Sequence, residues 1–341
     1  MKMILTGDVN LMHVADATEP FARVRDELRG ADIVFSNLEC CLYAPPQRHA
    51  VENEGFFADP AVAGEALKLG GIAAVGVANN VNYGEAAITA SIAELDRLGI
   101  RHTGAGKGRA AARAPAIVTA GGLRVGFLQR SSVYWPTNHE AGENSPGIAV
   151  IPGHAAYQVP MHRKGPPMNR PGIPPEIVTW ADKAYLREFC EDIAALREAA
   201  DIVVASCHWG LREEVLQYMT EIGHAAIDAG ADLVVGHGPH FSLPVEIYQE
   251  RPIFYGLGSF SFHTGHGGRR HGDWLGMMAR VVVEGGAIAA ASFRFVRHDE
   301  RNRTYFCAPA DEAAAFDALA RKSAALVARG DEVAIPLRRQ A

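Results

Sequence analysis

Nowhere in the 341 residues is there a window of about 20 apolar residues, so no transmembrane helix is expected. A charged-then-apolar leader with a small-residue cleavage site is also missing, and the expected location is the cytoplasm. No long run of Lys or Arg occurs and the formal net charge is -6. That disfavours nucleic acid as a partner, because phosphate binding needs a concentrated basic surface. No CxxC occurs. The five cysteines, Cys40, Cys41, Cys190, Cys207 and Cys307, are odd in number and two are adjacent. This excludes a disulfide framework and reads as reduced thiols. A fixed-period repeat is lacking too. Gly30-Ala31-Asp32, Ala200-Asp201 and Gly230-Ala231-Asp232 echo one another at irregular spacing, a recurrent helix-to-strand device rather than a solenoid.

What is present is an α/β pattern. Helices are expected at 19–29, 60–69, 85–98, about 182–199 and about 214–229, each with apolar residues on one face or a glycine stop. Hairpins are expected at 115–120/123–129 and 275–283/287–297, and further strands at 244–248 and 252–257. The reading is one domain over 1–341, with a Pro- and Gly-rich loop insertion at about 133–180 and a C-terminal helix at about 310–328.

Five short aliphatic runs end in polar donors: Met3–Asp8, Asp32–Glu39, Ile72–Asn80, Asp201–His208 and Asp232–His240. Such runs read as strands buried on both faces. Sites in open α/β sheets form outside the carboxyl ends of strands. Asp8, Glu39, Asn80, His208, His237 and His240 can therefore converge. Two carboxylates, an amide oxygen and three imidazoles suit two divalent ions of the Mn, Zn or Fe kind; Mg and Ca prefer more oxygen. Each residue also has a plain structural use, as a turn former, a solvated acid or a packed histidine.

Gly7-Asp8-Val9, Asn37-Leu38-Glu39, Ala78-Asn79-Asn80, His208-Trp209-Gly210, Gly236-His237-Gly238-Pro239-His240 and the run Phe254–Phe260 form an ordered set. Over roughly residues 1–130 and 190–262 this set resembles the CapA family of poly-γ-glutamate capsule synthesis proteins, itself similar to the calcineurin-like metallophosphoesterases. The resemblance implies an α/β/β/α two-sheet sandwich with a dinuclear site. It also implies Asp8 and His240 on one metal, Asn80, His208 and His237 on the other, and Glu39 bridging. Two positions depart from the pattern. Asn10 stands where metallophosphoesterases have a His two residues after the first Asp. Val81 stands where the family has the His that helps a phosphate leaving group depart.

These readings predict a soluble metal-dependent hydrolase. A metal-held hydroxide would attack an anionic substrate, with a γ-glutamyl or other amide favoured because Val81 replaces the acid. Asn80, His208 and His139 are the candidate catalytic residues, and Arg130, His263 and His266 the candidate substrate residues. Glu140, His271 and Arg269-Arg270 are further candidates in the same loops. The alternatives are a CapA-like accessory protein of poly-γ-glutamate or capsule synthesis, and a phosphoesterase with a non-standard acid. Homo-oligomerisation is left open.

Overall fold

Two large sheets carry the chain in a computed structural model that describes residues 1–45, 55–158, 174–265, 268–271 and 274–337. The first sheet has ten strands. Its path runs Val327–Arg329, Glu332–Ile335, Ala287–His298, Gly276–Glu284, Lys2–Val9, Ile33–Leu38, Ala74–Gly76, Arg101–Thr103; Ser259–Ser261 joins Lys2–Val9, and Thr304–Cys307 joins Ala287–His298. The second has six, in the order Val245–Tyr248, Arg251–Phe254, Leu233–His237, Ile202–His208, Leu123–Ser131, Ala116–Ala120.

Side chains alternate across a strand with period two, and the buried clusters follow that rule. Met3 and Leu5 join Ile33, Phe35, Phe127, Val204, Val235, Met277 and Phe293 in a core shared by both sheets. The rings of Phe35 and Phe127 stack across it at 4.6 Å. Ile4 faces the other way, with Val34, Val75, Leu67, Ile88 and Leu95. The helices on that outer face are Arg25–Arg29, Pro60–Leu69 and Glu85–Leu98. On the outer face of the six-stranded sheet, Phe189, Ile193, Met219 and Ile222 pack on Val203, Ala205 and Val234. They come from the helices Lys183–Ala199, N-capped by Asp182, and Gln217–Asp228.

The central strands pair in parallel, which brings their carboxyl ends to one edge of each sheet. Asp8 lies opposite Asn37, and His208 opposite His237. At Gly7 a Cβ would stand 1.9 Å from the carbonyl oxygen of Gly258, so only glycine admits the close approach of the Ser259–Ser261 strand.

Both expected hairpins form, at Ala116–Ala120/Leu123–Ser131 and Gly276–Glu284/Ala287–His298. Three expectations are corrected. The 19–29 helix is regular only over Arg25–Arg29. The 133–180 stretch contains strand: Gly147–Ile148 pairs with Ala105–Gly106, and Gly153–Gln158 with Glu176–Ala181. Residues 159–173 between the latter two lie outside the described residues. The C-terminal helix spans only Ala313–Ala320; Val327–Arg329 instead turns at Gly330, φ 61°, to pair with Glu332–Ile335. Among the described residues no helix is long and apolar enough to cross a membrane.

Candidate metal centre

The six strand-end donors meet through a chain of short contacts. Asp8, fully buried, approaches His240 Nδ1 at 3.1 Å through Oδ2 and His237 Nδ1 at 3.6 Å through Oδ1. Glu39 Oε1 lies 3.8 Å from His240 Nε2 and 4.0 Å from His208 Nε2. His208 Nε2 stands 2.8 Å from Asn80 Oδ1. Both carboxylates thus lie between imidazoles. One ligand atom each of Asp8, Glu39 and His240 falls within 4.8 Å of the others. His237 is fully buried, yet neither of its ring nitrogens has a hydrogen-bond partner.

Local backbone geometry presents these groups. Gly238, at φ 110°, opens the turn after His237, and its N–H points to Asp8 Oδ2 at 3.4 Å. His240 is itself in the left-handed region, at φ 65°. It stacks on Trp274 with ring centroids 4.8 Å apart.

The electrostatics suit a cation. Burial alone would raise the pKa of Asp8, but its close approach to His237 and His240 and the charge interactions with them outweigh burial and hold the carboxyl well below its ordinary range. Glu39 is pushed well above its ordinary range, first by burial and then by the negative charge of Asp8. Two buried carboxylates this close favour both ionising only when positive charge joins them. Burial lowers His208 to about 3, which keeps the ring neutral, the form that ligates metals. A partnerless buried His beside paired acids is what a divalent cation site presents, so the residues fit the metal that the sequence implies.

Polar groups behind the donors were not among the expected site residues. Asn37 Nδ2 donates to Asp8 Oδ1 (2.8 Å) and reaches Glu39 Oε2 (3.4 Å). Its Oδ1 accepts from Gln129 Nε2 (3.1 Å) and Asn79 Nδ2 (3.3 Å). Gln129 crosses from the six-stranded sheet to take the N–H of Ala78 (2.6 Å). The legible signal was a Gln directly after the apolar run Val125–Leu128, still within the strand Leu123–Ser131. Trp274 gave none.

Other expected positions are used differently. Asn10 Nδ2 donates to Thr264 O (2.7 Å) and its Oδ1 accepts from Met12 N (2.9 Å), so it clamps backbone. Val81 is buried. His139, expected as a catalytic group, is fully buried with Nδ1 accepting from Trp135 N (3.0 Å) and Nε2 facing Asn82 O (3.0 Å). Both nitrogens are committed to backbone, which corrects its reading as an acid. Arg130, expected at the substrate, is corrected too. Its side chain turns away from Gln129 to the opposite face, pairs with Asp192 and lies over Phe189 at 5.1 Å. His263 contacts Asn302 and His298 rather than the strand-end donors. His266 lies outside the described residues. Beside Asn80, a cavity of about 410 Å³ is lined by Tyr43, Phe57, Val81, Tyr83 and Trp135.

Residues 2–264 match the family model described as bacterial capsule synthesis protein PGA_cap. The chain is 26% identical over 306 residues to an uncharacterized protein of Sinorhizobium fredii, covering 76% of this chain and 66% of that protein. It is 32% identical over 196 residues to a probable polyglutamine synthesis accessory protein of Mycobacterium tuberculosis, covering 53% of this chain and 43% of that one. With the PGA biosynthesis protein CapA of Bacillus subtilis the identity is 38% over 99 residues, covering 28% and 24%. The matches therefore span from about a quarter to just under two thirds of these relatives' lengths. All of the strand-end donors fall inside the family match, and this chain belongs to the PGA_cap family of bacterial capsule synthesis proteins.

Proposed function

We propose that the chain is a metal-dependent hydrolase acting as an accessory protein of capsular poly-γ-glutamate synthesis, built on the α/β/β/α sandwich of the calcineurin-like metallophosphoesterases. The family match and the relatives named for polyglutamine and PGA synthesis support the accessory role. One observation carries the chemistry: the buried imidazole of His237, with no hydrogen bond at either ring nitrogen, beside Asp8. Asp8, Glu39, Asn80, His208, His237 and His240 would hold two ions of the Mn, Zn or Fe kind. When bound, such ions make water a stronger acid near neutral pH and polarise a carbonyl or phosphoryl oxygen.

The chain's own residues do the positioning. Asn37 fixes the Asp8 carboxylate through its amide. The Trp135 indole N–H donates to Asn80 O (3.0 Å) and holds that residue against His208. The substrate is an anionic, γ-glutamyl type of amide. This is favoured over a phosphate ester because Val81 offers no acid and His139 has none to spare.

The test is a substrate panel with metal analysis. Poly-γ-glutamate and γ-glutamyl amides are compared with phosphomonoesters and diesters, before and after addition of Mn or Zn. Metal-dependent cleavage of the γ-glutamyl compounds, lost in His237→Ala, is the expected result. Substoichiometric metal with no activation would sink the reading, and turnover of phosphate esters alone would favour a phosphoesterase with another acid. Disruption of the gene in its host, with capsular polymer measured, tests the accessory role separately.

A further inference from the structure

A second set of imidazoles lies apart from the strand-end donors. His298 ends the Ala287–His298 strand, is 1% exposed, and has no hydrogen-bond partner at either ring nitrogen. His263 stands edge-on to it, with centroids 6.2 Å apart and ring planes at 84°. The Nδ1 of His263 is also buried without a partner. The backbone N–H of His271 donates to His263 O (2.8 Å).

Buried polar nitrogens are ordinarily paired, and leaving them bare costs free energy. Here three lie bare on two neighbouring rings, and they are imidazole nitrogens, the commonest metal ligands. A zinc ion stands about 2.0–2.1 Å from each His nitrogen. Two rings 6.2 Å apart admit one ion between them. His263 also lines a cleft of about 740 Å³, together with Asp16, Glu300, Arg270 and Arg301, which gives a small ion a way in.

We propose that His263 and His298 hold one divalent ion of the zinc kind, separate from the strand-end centre. The ion fastens His263, beside the Ser259–Ser261 strand, onto the strand end at His298 and the turn at 299–302. Backbone contacts already join these pieces: Asn302 Oδ1 accepts from His263 N (3.0 Å), and Ser261 Oγ donates to Asn302 O (3.1 Å). The His271 backbone N–H is held by His263 O (2.8 Å), and Trp274 stacks on His271 (3.8 Å) and on His240 (4.8 Å), so contacts lead from the site to an indole that lies against a strand-end donor.

Zinc itself is the probe. The full chain is stripped with chelator and dialysed to equilibrium against Zn²⁺, and bound metal is counted for wild type, His263→Ala, His298→Gln, Asp8→Asn and the Asp8→Asn/His263→Ala double variant. His263→Ala and His298→Gln are each expected to bind one equivalent less than wild type. Asp8→Asn keeps that equivalent and the double variant loses it. Zinc is also expected to raise the melting temperature of Asp8→Asn but not of the double variant. His298→Gln alters a buried position; His263→Ala, at a half-buried one, keeps the test decisive if His298→Gln does not fold. A folded His263→Ala that binds as much zinc as wild type overturns the proposal and leaves the strand-end reading untouched. Loss of zinc in His263→Ala with none lost in Asp8→Asn supports this site and counts against the other.

Discussion

At the scale of single residues, the donors are only as good as the groups that aim them. Asn37 touches Asp8, Glu39, Asn79 and Gln129. Outer-shell partners of this kind change metal affinity by about 10–100-fold when removed. Asn37→Ala should weaken Zn or Mn binding by that order, read by calorimetric titration, with the fold retained by circular dichroism. His139 makes a different prediction. Burial lowers its folded-state pKa to about 4, against an ordinary value of 6.5. Between those values the unfolded chain binds more protons than the folded one, so stability is complete above about pH 6.5 and falls as the pH drops toward 4. The loss attributable to His139 is at most about 3 kcal/mol. Denaturant titrations of chelator-treated protein should show a shallower fall over this window in His139→Gln than in wild type. The donors at strand ends were legible because Asp, Glu, Asn and His interrupt aliphatic runs. Asn37 and Gln129 were not singled out, because a polar residue inside a strand declares no direction until the sheets are paired.

Elements obey the same limitation. Period-two alternation sends Gln129 toward the sheet interface and Arg130 toward the Lys183–Ala199 helix, where it pairs with Asp192. Sequence shows that an arginine ends a strand but not which face it takes. Arg130→Met should therefore lower stability by about 3 kcal/mol, as expected when one partner of a buried ion pair is removed, and leave KM unchanged. A raised KM in a fully folded variant would restore it to the substrate. The Gly7 approach is sharper. Gly7→Ala puts a methyl against the Gly258 carbonyl, where no flexible side chain can yield. A loss of about 3 kcal/mol or more is expected in chemical denaturation, at the upper end of overpacking costs. Strongly periodic elements such as Glu85–Leu98 were readable from their apolar face and from Gly99, φ 71°. The Gly153–Gln158/Glu176–Ala181 pair was not, because its strands are largely exposed and carry no alternating apolar signal. The Val327–Arg329 strand was missed for a related reason: all three residues are exposed, and its short apolar stretch fits a helix end equally well.

At the scale of the whole molecule, charge sets a constraint on the proposed substrate. Asp and Glu number 39 against 33 Lys and Arg, a formal net charge of -6. A polyanion such as poly-γ-glutamate is therefore repelled at long range, and attraction must come from a local source. The strand-end centre would supply one only if loaded with metal as proposed, since Asp8 and Glu39 are themselves acids. Salt screens exposed charges beyond about 8–10 Å at physiological ionic strength, while contacts inside a buried site are screened much less. The sign follows. Raising salt weakens the repulsion more than the local attraction, so the association rate of metal-loaded protein with the polymer should rise or stay level as salt increases. Chelation should abolish binding at every salt concentration. Stopped-flow mixing with a fluorescently tagged polymer measures both. A rate that falls steeply with salt would mean that a basic surface steers the polymer instead, as electrostatic steering predicts, and the polymer would then be bound away from Asp8 and Glu39.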